Sequence, residues 1–137
     1  MTDSVPPSTE PRVAAVVVTY NRKTLLRQCL EALQAQTHPV AEIIVVDNAS
    51  TDGTAGMVRA DFPEVTLRVL DENRGGAGGF HEGMRRARVE DVDWIWVMDD
   101  DAEPAETALE MLFDSGVHSA PDTVALSPLK QFPSGRP

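Results

Sequence analysis

Five apolar residues, Trp94 to Met98, run without a break into Asp99, Asp100 and Asp101 in the stretch WIWVMDDDAEP. A run of that length, rich in aromatic and β-branched types, fits a strand buried on both faces. Strands of that kind belong to parallel sheets covered by helices, where ligands gather outside the carboxyl ends of the strands. An acidic run is ordinarily a solvated loop or a helix cap. Its position at the end of a core strand makes this one a site candidate instead. In extended backbone the side chains alternate, so Asp99 and Asp101 are expected to project together while Asp100 points away. That is a two-carboxylate clamp with a spacer, and Pro104 opens a helical pattern behind it.

The rest of the chain supplies the sheet that such a strand needs. Val13 to Val18 is a β-branched run ending at TYNR, and Ile43 to Val46 is a second run that empties into DNASTDG. Val65 to Leu70 reads as a third strand ahead of DENRGG, and Val124 to Leu126 as a short fifth. Between them lie helical patterns. Leu25, Leu26, Cys29, Leu30 and Leu33 form one stripe within Lys23 to Gln36. Ser50, Thr51 or Asp52 can cap a short helix through Ala60. Phe80, Met84 and Ala87 share a face of a helix from Phe80 to Arg88. Ala105, Ala108, Leu109, Leu112 and Phe113 make the last stripe, ended by Gly116. The order βαβαβαβαβ predicts an α/β fold, a mostly parallel sheet with right-handed crossovers. Residues 1–11 read as a flexible lead-in, 12–130 as one domain and 131–137 as a flexible tail.

Composition narrows the partners. The chain has 137 residues, 42% of them hydrophobic, enough for one real core. A net charge of −10 argues against a nucleic-acid backbone as ligand. One cysteine, Cys29, excludes a disulfide framework and a Cys-based zinc site. No apolar run reaches the roughly 18 residues of a membrane span, and the start MTDSVPPSTEPR is not a signal peptide, so a cytoplasmic protein is expected.

In a parallel sheet the loops TYNR, DNASTDG, DENRGG and DDD share one edge and converge. Asp47 can accept a hydrogen bond from a base ring N–H or a sugar hydroxyl, and Asn48 and Asn73 can both donate and accept. Simple turn chemistry would also explain Asp47 and Asn48. The glycines from Gly75 to Gly79 let a ligand approach the backbone, and the helix they open offers N–H groups to an anion. Neither a dinucleotide fingerprint nor a P-loop is present. Arg85, Arg86 and Arg88 read as a solvated face, with Glu82 and Arg86 as an i,i+4 pair. His38, His81 and His118 have no metal-ligand spacing. Two like charges about 4 Å apart repel by roughly 4 kcal/mol at an effective dielectric near 20. A diphosphate beside Asp99 and Asp101 therefore calls for a divalent cation, and all-oxygen ligation favours Mg²⁺ or Mn²⁺.

VVVTYNR, IIVVDNASTDGT, ENRGGAGGF and DWIWVMDDDAEP together resemble the family 2 glycosyltransferases of the GT-A fold, over roughly Val13 to Leu129. GGAGGF with W-x-W-x-MDDD resembles their galactofuranosyl- and rhamnosyltransferase-like branch. The resemblance implies a GT-A (Rossmann-like) fold, here truncated, with Thr19, Tyr20 and Asn21 lining a nucleotide pocket and Asp47 on the base. Asn48 would stand beside it, with Asn73, Arg74, Gly75 and Gly76 bordering base and diphosphate. Asp99 and Asp100 would reach the ribose, and Asp99 and Asp101 the metal, as a DXD-type motif. The implied reaction is hexosyl transfer from a nucleoside diphosphate sugar, UDP- or dTDP-linked, usually with inversion. The implied acceptor is a glycan or a lipid-linked glycan of the cell wall, with peripheral contact at the inner face of the membrane. Arg74 departs from the branch, which often carries Leu there; it is either a phosphate contact or a solvated charge. In the family the acceptor pocket and catalytic base follow the stretch present here, so this chain is expected to be the donor-binding half, with no catalytic base of its own.

Two other readings compete with transfer. One is a non-catalytic module that binds a nucleotide or a partner. The other is a phosphoryl-accepting receiver domain, which needs its acidic pair after the first strand, where this chain has TYN.

Overall fold

A computed structural model describes residues 11–87 and 92–115. The expected lead-in before Pro11, the fifth strand, Gly116, His118 and the polar tail lie outside the described residues, as does Arg88. Within them the elements are β1 (Val13–Thr19), α1 (Lys23–Gln34), β2 (Glu42–Asp47), α2 (Thr54–Asp61), β3 (Thr66–Val69), α3 (Gly75–Ala87), β4 (Trp94–Asp99) and α4 (Ala108–Asp114). The sheet is parallel in every pairing and runs β3-β2-β1-β4. This is the α/β architecture that the alternation of strand and helix patterns predicts.

Strand alternation splits the core into two layers. Val13, Ala15, Val17, Ile43 and Val45 face α1, α2 and α4, where Leu26, Leu30, Leu33, Val58 and Leu109 complete one cluster. Ala14, Val16, Val18, Ile44 and Val46 face the other way, onto Ala87 and Phe80 of α3. Helices therefore cover both faces. A fully buried Val or Leu contributes about 1.5–3 kcal/mol, and β1 is buried along its whole length.

Several local expectations are corrected. β4 is not buried on both faces: its Val97 is 37% exposed, on the face where α3 lies mainly over β1 and β2. Leu25 is exposed, and the α1 stripe narrows to Leu26, Cys29, Leu30 and Leu33. The helix ends at Gln34, short of Gln36, whose buried side chain is drawn into another task. Its Nε2 donates to the Ala105 carbonyl at 2.7 Å, and its Oε1 accepts the Leu109 N–H at 3.2 Å. The backbone of Thr37 also donates to the Glu106 carbonyl, at 2.8 Å. These ties hold the chain after Pro104 in a non-helical path and delay α4 to Ala108.

The largest correction concerns α3, which begins at Gly75 and not at Phe80. A glycine in a helix interior costs about 1 kcal/mol relative to Ala, so propensity alone argues for a loop. Packing overrides it. A Cβ on Gly83 would sit 2.3 Å from Val16 Cγ1, and one on Gly79 would sit 2.6 Å from Val18 Cγ1. Only bare backbone lets the helix lie this close to β1. The buried stripe is therefore Gly79, Gly83 and Ala87, and Met84 turns outward. Glu82 does not pair with Arg86. It takes Arg85 and Arg68, each at 2.8 Å, while Arg86 reaches Glu42 at 3.3 Å.

Candidate functional site

The parallel register sets Thr19 beside Asp47, Val18 beside Asp99, and Asp47 beside Val69. The four loops that follow these strands therefore leave from one edge, and hydrogen bonds lash them together. The Asn48 N–H donates to the Thr19 carbonyl at 2.9 Å. The Asn21 N–H donates to Ser50 Oγ at 2.8 Å, and Asn21 Oδ1 accepts the Thr51 N–H at 2.7 Å. Asn21 adopts φ 51 to do so, a left-handed conformation that Asn tolerates better than most residues. Asp52 Oδ2 accepts the Lys23 N–H at 3.1 Å, tying the β2–α2 loop to the start of α1. The same carboxylate also accepts from the Thr54 hydroxyl and N–H, which holds its pKa below the usual carboxylate range. None of the expected residues is the N-cap of α2: that position is a left-handed Gly53 without a side-chain cap, and Asp52, one residue before it, accepts the Thr54 N–H at 3.1 Å.

Asn48 fastens the glycine-rich segment. Its Oδ1 accepts the Arg74 N–H at 3.0 Å, and its Nδ2 donates to the Gly75 carbonyl at 3.0 Å. Asn73 Oδ1 accepts the Gly75 N–H at 2.7 Å, and Gly75 has φ 72, where a side chain would be strained. Both amide groups expected to face a ligand are thus engaged in holding the start of α3. The Arg74 side chain pairs with Asp71 at 3.6 Å. Gly75 and Gly76 are exposed, with nothing within 4 Å of where a side chain would begin.

Asp47 behaves differently. It is buried, and its Oδ1 accepts the Ser50 N–H at 2.9 Å. Its Oδ2 is buried with no hydrogen-bond partner. A buried acceptor left unmade costs about 1–3 kcal/mol, so an atom like this at a loop junction needs an explanation.

The acidic triplet divides as the alternation predicts, although not on a strand. β4 ends at Asp99, and the Ala102 N–H donates to the Asp99 carbonyl at 3.1 Å, closing a turn with Asp100 and Asp101 at its centre. Asp99 and Asp101 are exposed, and Asp100 is buried. Thr19 Oγ1 donates to Asp100 Oδ2 at 2.9 Å, and Arg22 donates to Oδ1 at 3.3 Å. Burial pushes the Asp100 carboxyl up, while the Thr19 hydrogen bond and the Arg22 charge pull the other way. Thr19 is itself buried, and Tyr20 stands half exposed at the rim. Arg22, Ser50 and Asp52 carry much of this framework. The TYNR and STDG motifs contain all of them, but their partners lie across the fold.

Among the described residues no three His, Cys, Asp or Glu side chains are grouped to hold a metal ion unaided. Asp99 and Asp101 offer hard, exposed oxygens, a donor set that suits a cation completed by phosphate oxygens and water. No described helix is long and apolar enough to cross a membrane.

Comparison with known proteins gives this geometry a context. The chain is 38% identical over 107 residues to the galactofuranosyltransferase GlfT1 of Mycolicibacterium smegmatis, a match covering 78% of this chain and 35% of that one. The mannosyltransferase PcManGT from Pyrobaculum calidifontis, solved with GDP-Man and Mn²⁺, superposes with a TM-score of 0.60 at 34% identity, covering 72% of this chain and 30% of that one. TarS 1–349 from S. aureus, solved with UDP-GlcNAc, superposes with a TM-score of 0.61 at 25% identity, covering 77% and 30%. The chain thus spans about a third of the length of such relatives. The fold is the GT-A arrangement of these transferases. The sequence pattern of glycosyl transferase family 2 matches residues 14–136, and the chain belongs to that family.

Proposed function

We propose that this chain provides the donor site of a glycosyltransferase that moves a hexosyl group from a UDP- or dTDP-linked sugar to a glycan or lipid-linked acceptor. The observation that carries the proposal is the unpartnered Asp47 Oδ2, buried at the edge that also presents Asp99 and Asp101. A uracil or thymine ring N–H would supply the missing donor. Asp99 and Asp101 would hold Mg²⁺ or Mn²⁺, with Asp99 also toward the ribose, and Tyr20 and the exposed Gly75 and Gly76 would border the nucleotide. When bound, the cation would offset the charge of the departing diphosphate. The GDP-Man and Mn²⁺ held by PcManGT and the UDP-GlcNAc held by TarS support a nucleotide sugar as donor.

In an inverting transfer the acceptor hydroxyl oxygen forms a bond to the anomeric carbon. The bond from that carbon to the phosphate oxygen breaks, and its electron pair leaves with the nucleoside diphosphate. The hydroxyl proton passes to a base, which we assign to none of the described residues. An acceptor with a lipid carrier would place the work at the cytoplasmic face of the membrane. Nucleotide binding without transfer is the second reading, because the described loop edge offers groups for a nucleotide and no base is assigned among the described residues.

Calorimetric titration with UDP, with and without Mn²⁺, tests the donor site. Binding should require Mn²⁺ and be lost in Asp99→Ala and in Asp101→Ala. CDP, whose base lacks a ring N–H, should bind more weakly than UDP by about tenfold or more. Absence of UDP binding under every condition would refute the proposal.

A further inference from the structure

Asp100 sits in the middle of the acidic triplet, yet its surroundings are those of a structural link. Its side chain is 6% exposed, against 53% for that of Arg22. Thr19 Oγ1 occupies one oxygen at 2.9 Å, and Arg22 the other at 3.3 Å. Both of these donors belong to β1 and the loop after it. To reach a ligand at the open edge, this carboxylate would have to release the buried Thr19 hydroxyl and leave it without an acceptor. Arg22 is placed the opposite way, with its guanidinium anchored on Asp100 and about half its side chain in solvent. In a chain of net charge −10, a cation pinned among acidic loops matters to an anionic ligand out of proportion to its number.

We propose that Asp100 is a positioning residue that fixes Arg22 and the Asp99–Asp101 turn against the end of β1, and that it influences the donor through Arg22 and not by touching it. Arg22 thereby becomes the phosphate-facing cation of the site. The inference rests on the donor-site reading given above, and it removes Asp100 from the set of residues expected to contact the nucleotide.

A double-mutant cycle on the full chain tests it, with UDP and Mn²⁺ as the probe. Asp100→Asn keeps the size and an oxygen for Thr19 but removes the charge that holds Arg22. Asp100→Asn and Arg22→Gln should each weaken UDP by about tenfold, and the double variant should be no more than about twofold weaker than Arg22→Gln. A residue that only supported folding would shift the melting temperature without this dependence on Arg22. Losses that multiply, to about a hundredfold, would show that Asp100 acts on the ligand itself and overturn the inference. Thr19→Val should resemble Asp100→Asn, and Thr19→Ser should restore wild-type affinity. A second measurement separates this inference from the donor site. The guanidinium NMR resonances of Arg22, assigned by their loss in Arg22→Gln, should move in Asp100→Asn without any nucleotide present. Unmoved resonances overturn the positioning role even if UDP binds. Moved resonances in a chain that binds no UDP would uphold the anchoring of Arg22 and refute the donor site and the link between them.

Discussion

Asn48→Asp exchanges one atom and should test what Asn48 does. In the native chain its Oδ1 accepts from the Arg74 N–H and its Nδ2 donates to the Gly75 carbonyl, both at 3.0 Å. The new carboxylate keeps the first bond and loses the second, setting an ionised oxygen against a carbonyl oxygen at the same spacing. Loss of one net hydrogen bond costs about 1 kcal/mol, and a buried charge facing an acceptor adds about 1–3 kcal/mol, for a deficit of roughly 2–4 kcal/mol at pH 7. Protonation repairs the defect, because a neutral carboxyl can again donate to Gly75. The native environment disfavours the charged form, so the folded pKa of the new group lies above its unfolded value near 3.9. The deficit is therefore full above that raised folded pKa, shrinks as the pH falls through it, and has gone once the pH is below about 3.9. Urea unfolding at a series of pH values, each compared with wild type at the same pH, reads both features. A variant as stable as wild type at pH 7, or one whose deficit persists in acid, would refute the assignment of Asn48 as the clamp on α3.

Two glycine-to-alanine changes should have opposite signs. Gly83→Ala drives a Cβ to 2.3 Å from Val16 Cγ1 and should cost about 1–3 kcal/mol, less about 1 kcal/mol of helix propensity. Gly56→Ala in α2 meets nothing within 4 Å and should gain up to about 1 kcal/mol; denaturant midpoints at constant slope check both. Ala49 has φ 66, so Ala49→Gly should stabilise by up to about 1 kcal/mol, and a loss in thermal melts would contradict the strain. Burial, with the Asp100, Asp101 and Glu103 charges adding to it, pushes the Cys29 thiol from 9.0 up to about 12. Its contribution to stability is full below pH 9 and lost between there and about 12, where the unfolded chain ionises first. The stability difference between wild type and Cys29→Ala should follow that slope.

What the sequence made legible is what depends on neighbours along the chain. The β-branched runs at Val13 and Ile43 announce strands, and their alternation with helical stripes implies a parallel sheet, whose edge then gathers the polar loops. Misreadings arise where a distant residue decides. The start of α3 depends on Asn48 and on the valines of β1, neither of which the glycine run reveals. Arg86 prefers Glu42, 44 positions away, to Glu82 on its own helix. The inward turn of Asp100 agrees with simple alternation, but its reason, Thr19, lies 81 positions earlier.

The polar residues at the loop edge fall into two sets. Asn21, Asn48, Ser50, Asp52 and Asp100 spend their hydrogen bonds on neighbouring loops, so the edge is shaped before any ligand arrives. Asp47 keeps a buried oxygen without a partner. Such an atom does not define a site by itself. Glu42 Oε1 is also buried and unpartnered, yet it stands at the opposite end of β2, where the loops do not converge. Position distinguishes the two. A ligand arriving at Asp47 would, under the proposed function, meet Tyr20, the exposed glycines, Asp99 and Asp101 within loops already tied together, and ordering those loops would then be no part of its binding cost. Under the proposed function this predicts that loosening the edge by Asn48→Asp should weaken UDP at pH 7 even in the fraction of molecules that remain folded. Unchanged affinity in that fraction would mean that the clamp serves stability alone.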